Sequence, residues 1–143
     1  MPSSTVDRDA ERLTDALAQS SFEVVAVLSR IAADNDMSLT QLRLLGVLRD
    51  RRLRMAELAD YLGLERSTTS GLVDRAERRG LLERGRNADD ARAVDVRMTR
   101  AGLELARSVE REVRDSLAPI TNRLDGRGRV ALARLLERML QPS

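Results

Sequence analysis

The chain contains no cysteine and no histidine. Without thiols there are no disulfides, no thiolate nucleophiles, no thiol redox sensing and no Cys-based zinc sites. Without imidazole the commonest general base and the commonest metal ligand are missing. Composition therefore excludes most enzyme constellations. A carboxylate-only mechanism survives, and no spacing of the acids argues for one. Tryptophan is absent, and the aromatics are Phe22 and Tyr61 alone. The core must be built from Leu, Val, Ala, Ile and Met, and both aromatics are expected inside it. Lysine is absent too, so all 25 basic residues are arginine, always charged and suited to bidentate grip on phosphate. Asp34-Asn35-Asp36 looks like a fragment of a calcium loop but lacks the later ligands and the glutamate. No metal and no cofactor is expected.

The 143 residues suit one domain, or a small domain with extensions, and the 34% charged and 42% apolar shares are those of a globular protein. The net charge is +2 but unevenly spread. Residues 1–40 carry three Arg against seven acids, residues 41–100 fourteen against ten, and residues 101–143 eight against six. A basic middle between helical ends suits a nucleic-acid reader held by oligomerisation elements. The first twelve residues are polar and acidic, unlike a targeting signal. No run approaches the roughly 18 apolar residues of a membrane span. A cytoplasmic location with no membrane partner is expected.

Apolar residues at Ala10, Leu13, Leu17, Val24, Val25, Leu28 and Ile31 step by threes and fours, which predicts an amphipathic helix over about Thr5–Ala33 with Ser4 as its cap. Ser38-Leu39-Thr40 opens a second helix, nearly all apolar through Leu48, hence central and buried. Met55–Leu62 reads as a short third helix stopped by Gly63, and Arg66–Arg79 as a fourth stopped by Gly80. The fourth buries Leu72, Val73 and Ala76 and presents Arg66, Ser67, Thr68, Ser70, Gly71, Asp74, Arg75 and Arg78 elsewhere. Leu81–Arg86 and Ala93–Met98 read as strands around a polar turn, the second with Val94, Val96 and Met98 inward. Thr99 caps a helix with the seam Ala106, Val109, Val113, Leu117, Ile120 and Leu124, which Pro119 should kink or break. Asp125 caps a last helix expected to bury Val130, Leu132, Leu135, Leu136 and Met139. The outer helices are too long and apolar for a lone winged core of about 60 residues, so a homodimer is expected.

The order helix, short helix, glycine turn, helix, hairpin defines a winged helix-turn-helix from Leu39 to Met98. A polar-faced fourth helix can lie in a major groove, where Arg binds guanine bidentately and Ser or Thr reaches phosphates or base edges. An arginine at the hairpin tip can reach a narrow minor groove. The expected fold class is mainly α (α+β): residues 1–37 as an N-terminal dimerisation helix, 38–98 as the DNA-binding region and 99–143 as C-terminal dimerisation helices.

The series Leu58-Ala59-Asp60-Tyr61-Leu62-Gly63, Arg66-Ser67-Thr68, Leu72-Val73-Asp74-Arg75, Arg79-Gly80-Leu81-Leu82-Glu83-Arg84, Asp90-Ala91-Arg92 and Thr99-Arg100-Ala101-Gly102 resembles the MarR family of transcriptional regulators in order and spacing. The resemblance extends over essentially the whole chain. It implies a homodimeric repressor or activator that binds double-stranded DNA, often released by small anionic or phenolic effectors. By position, Arg66, Ser67, Thr68, Ser70 and Arg75 match recognition-helix residues, and Arg92 matches the arginine that enters the minor groove. Asp90 is the wing acid beside it, and Arg84 and Arg86 lie on the strand leading into the wing. Asp74 matches an acid that pairs with the wing arginine in some members; an i,i+4 pair with Arg78 is the alternative.

The chain departs from the family pattern in places. Arg54 and Glu65 stand where Ser or Thr usually starts a helix, so those starts are expected to shift or fray. Gly71 stands where a long polar residue is common, Thr69 where an apolar one is, and Ala91 in place of a second wing arginine. The expected function is a ligand-responsive repressor on a pseudo-palindromic operator, with an effector cleft beside Leu42–Val47. The alternative is a winged-helix protein–protein interaction module that has lost DNA binding.

Overall fold

The computed structural model describes residues 5–142, and the Ser4 cap expected for the first helix lies outside them. Among the described residues, six helices and three short strands follow one another: α1 (Thr5–Asp34), α2 (Leu39–Leu48), β1 (Leu53–Arg54), α3 (Met55–Leu62), α4 (Arg66–Arg78), β2 (Leu82–Arg86), β3 (Val94–Met98), α5 (Arg100–Thr121) and α6 (Gly126–Leu140). The fold is mostly helical with one small antiparallel sheet, as a winged helix requires.

Local chemistry explains the helix starts. Ser38 Oγ accepts from the Gln41 N–H (3.1 Å), and Gln41 Oε1 accepts from the Ser38 N–H (2.9 Å), a reciprocal pair that opens α2. Arg54 has no acceptor to offer α3, but Glu57 Oε1 still accepts from the Arg54 N–H (3.1 Å). No side chain caps α4 at Glu65. Instead the Thr69 hydroxyl and N–H both donate to the Glu65 carbonyl (3.0 Å each). These bonds hold both helices at the starts the pattern assigns them, so the expected shift does not occur.

The sheet order is β1-β3-β2, all antiparallel. β1 is too short to read from sequence; it forms because Leu53 and Arg54 pair with Val96 and Asp95. The expected inward set of β3 is only partly correct. Val96 is buried, but Val94 is exposed and Asp95 is buried. Near the wing tip no core lies beneath the strand to cover a valine, whereas Asp95 meets a partner described below.

The core is one cluster beneath α2, α3, α4 and the sheet, with Leu44, Leu48, Leu58, Val73 and Val96 almost wholly out of water. Fully burying such a side chain contributes about 1.5–3 kcal/mol. The start of α5 is locked to the turn after α4. The Thr99 hydroxyl donates to the Gly80 carbonyl (2.5 Å) and accepts from the Gly102 N–H (3.1 Å), while the Thr99 N–H donates to the Leu81 carbonyl (3.0 Å). Gly80 takes a left-handed φ of 73° at this turn. A Cβ on Gly102 would collide with the Leu81 carbonyl oxygen, so only glycine fits this approach.

The ends differ from expectation. α5 is continuous through Pro119 and is not broken there. The proline falls in the last turn, two residues before the helix ends, so any bend it introduces has almost no helix beyond it to displace. Asp125 does cap α6, accepting from the Gly128 N–H (2.7 Å), but no α6 residue is buried. Val130, Leu132, Leu135, Leu136 and Met139 are all exposed in the single chain. Phe22 and Tyr61 are not core residues either, at 77% and 51% exposure. Phe22 lies on a part of α1 where the chain supplies no cover, and the Tyr61 ring instead receives Arg51 at 5.0 Å. α1 is also long and apolar enough, by length and composition, to cross a membrane, contrary to the sequence expectation. Its C-terminal part, with Ile31 and Ala32 buried, packs on α2 and α5.

Candidate nucleic-acid interface

α4 presents the face that its periodicity assigns. Leu72, Val73, Ala76 and Thr69 are buried beneath it, and Arg66, Ser67, Thr68, Arg75 and Arg78 lie on its outer faces. Its C-terminal end is fixed by Arg79, which donates to the carbonyls of Asp36 (3.0 Å) and Asn35 (3.1 Å) in the α1–α2 turn.

The side of α4 facing the hairpin is fixed by Arg84 of β2. One guanidinium nitrogen donates to Glu77 Oε1 (2.6 Å), and the other pairs with Asp74 Oδ1 (2.8 Å) and reaches Ser70 Oγ (3.2 Å). Burial pulls the pKa of this guanidinium down, but the bonds to Asp74 and Glu77 outweigh it and leave the group above its ordinary value. The partner of Asp74 is therefore neither the wing arginine nor Arg78. Arg84 stands in the middle of β2, before the wing turn begins, and its fork matches two carboxylates one helical turn apart. Ser70, Asp74 and Arg84 thus come together as one brace, and Glu77 joins it without having been singled out in the sequence. The clue was its position, three residues after Asp74 on the same helix face.

The wing turn follows β2 at Asn87. Arg86, at the end of the strand, and Arg92, at the end of the turn, are both exposed. Asp90 Oδ1 accepts from the Arg92 N–H (3.0 Å), so this acid shapes the turn through the backbone. A cleft of about 370 Å³ separates the wing from the helices, and Arg54, Arg66, Asp90 and Arg92 line it. Arg54 was not assigned a role from sequence. It comes into view because β1 places it beside β3, a pairing invisible in the linear pattern.

A second cavity, about 400 Å³, lies between α1, α2 and α5. Val25, Leu28, Leu39, Leu42, Val109 and Val113 form apolar walls, and Arg43, Arg49 and Glu110 bring charge to it. Arg49 pairs with Glu110 (3.1 Å), joining α2 to α5. Arg43 donates to the carbonyls of Tyr61 (3.0 Å) and Leu62 (3.2 Å), joining α2 to the end of α3. Among the described residues, no group of three or more acids is placed to hold a metal ion.

Comparison with known proteins agrees with this geometry. Residues 35–93 match the model of the MarR family. The chain is 32% identical over 75 residues to YfiV of Bacillus subtilis, described as an uncharacterized HTH-type transcriptional regulator; this covers 52% of the chain and 47% of YfiV. The chain thus spans about half the length of this curated relative. Among solved structures, NadR in complex with 4-hydroxyphenylacetate superposes with a TM-score of 0.78 at 22% identity, covering 92% of this chain and 94% of that one. A single-residue mutant of MarR from E. coli, complexed with operator DNA, gives 0.70 at 21% identity, covering 96% and 100%. The chain thus has the fold of these solved structures, and its residues 35–93 resemble the MarR family.

Proposed function

We propose that the protein is a dimeric, sequence-specific DNA-binding repressor that acts in the cytoplasm and responds to a small ligand. The observation that carries the reading is the joint exposure of the α4 face and of Arg92 on opposite sides of one arginine-lined cleft. Arg66, Ser67, Thr68 and Arg75 enter the major groove, and Arg92, with Arg86 behind it, reaches the adjacent minor groove or its phosphates. Ser70, Asp74 and Arg84 fix the angle between reading helix and wing, and Asp90 shapes the wing turn.

Dimerisation by residues 1–37 and 99–143 is supported by α6. A helix of 15 residues that buries nothing is marginal alone in water, and two early glycines weaken this one further. A second copy supplies the missing cover for its leucines. Two reading helices then meet successive major grooves, roughly 34 Å apart, on a pseudo-palindrome. The cavity between α1, α2 and α5 is the effector site. A ligand there presses on α2, which is tied to both α5 and α3, and shifts the spacing of the heads if it prefers one spacing over the other. The relative crystallised with 4-hydroxyphenylacetate supports an effector of that size.

The test is selection of bound duplexes from random DNA, followed by gel shifts on the winners. A salt-sensitive shift at nanomolar protein is expected. No enriched sequence and no shift at micromolar protein contradicts the reading and favours a protein–protein interaction module instead.

A further inference from the structure

We infer that Asn87 is a positioning residue for Arg92, acting through its hold on the buried carboxylate of Asp95. The inference rests on the DNA-reading role proposed above and adds to it a device that sets where the wing arginine points.

Asn87 is the first residue after β2, and its amide is used at both ends. Nδ2 donates to Asp95 Oδ1 (2.8 Å). Oδ1 accepts from the N–H groups of Asp89 and Asp90 (2.9 Å each). Its backbone N–H donates to the Ala93 carbonyl (3.1 Å), and the Asp90 carbonyl accepts from the Ala93 N–H (3.0 Å). Asp90 in turn holds the Arg92 N–H. The whole turn from Asp89 to Ala93 is thereby tied to Asn87 directly or through Asp90.

Asp95 is the anchor. It sits in β3, the middle strand, opposite Gly85 of β2 and Arg54 of β1, and is 5% exposed. A carboxylate in that position needs hydrogen-bond donors, and the Asn87 amide supplies one from the turn itself. The arrangement demands a side chain that donates to a carboxylate and accepts two backbone N–H groups at once. Aspartate cannot donate, and alanine does neither. Arg92 itself is exposed at the cleft it shares with Arg54 and Arg66, so the turn decides where its guanidinium points.

The test uses the full-length protein and a fluorescent duplex recovered by selection against the wild type. Asn87→Asp places two carboxylates against each other and is expected to weaken binding about tenfold, the scale of one well-placed arginine contact. The exchange N87D with D95N restores a donor–acceptor pair at the same two positions, and affinity should return to within about twofold of wild type. In the Arg92→Ala background, Asn87→Asp should have no further effect, because its target is gone. An undiminished tenfold loss in that background, or failure of the exchange to restore affinity while the melting temperature recovers, overturns the inference. If Arg92→Ala itself leaves affinity unchanged, the wing has no DNA role, and the DNA-reading proposal fails at that point instead.

Discussion

The middle of the chain and its ends leave opposite kinds of side chain in water. Between Leu39 and Met98 most large apolar side chains are buried or half-buried, and the exposed surface is dominated by arginine, hydroxyl and carboxylate groups. Beyond Asn122 the exposed set includes Leu124, Val130, Leu132, Leu135, Leu136, Met139 and Leu140, and nothing is buried among the described residues. The first surface is complete as it stands and suits a polyanion. The second is apolar and has no cover within the single chain. The proposed division, binding in the middle and assembly at the ends, rests on this difference, and it can be attacked from either side.

The largest effect is expected at the ends. Leu135→Glu with Leu136→Glu replaces four leucines that the proposed dimer covers, at about 1.5–3 kcal/mol each if fully covered, and should abolish dimerisation in sedimentation equilibrium. Unchanged association would show that α6 is not the interface. Where the two regions join, Gly102→Ala at the start of α5 forces a methyl onto the Leu81 carbonyl, and denaturant unfolding should show a loss of about 1–3 kcal/mol. Its cost should appear in stability whether or not the protein is dimeric. Arg92→Ala should leave stability unchanged and weaken binding to selected DNA roughly tenfold by anisotropy. Smallest is Arg84→Gln, which cuts the brace on Asp74 and Glu77. Both pairs are partly exposed, so about 1 kcal/mol of stability is expected in denaturant melts. A larger fall in DNA affinity than in stability would sharpen the view that the brace sets the reading angle.

Features encoded within a few residues were legible in the sequence. Gly63 and Gly80 stop α3 and α4, and Ser38, Thr99 and Asp125 cap their helices, because each acts on its own turn. The motif from Thr99 to Gly102 was readable as a pattern, but its reason, a carbonyl pressed onto the helix start, required the fold. What depended on distant pairing was hidden. β1 exists only by its partnership with β3, Asp95 turns inward because Asn87 meets it, and Asp74 finds Arg84 across the space between helix and hairpin. The seam of α6 was legible as apolar, but whether one chain or two would bury it was not written in its spacing.

The central claim is that two arginine-bearing heads, held by their terminal helices, grip one duplex. The most direct test is the binding affinity of the full protein for a selected duplex, measured between about 50 and 200 mM salt together with the stoichiometry of the complex. Two chains per duplex are expected, with an affinity that falls linearly, on logarithmic axes, with salt. A single bound chain, or an affinity indifferent to salt, would contradict it.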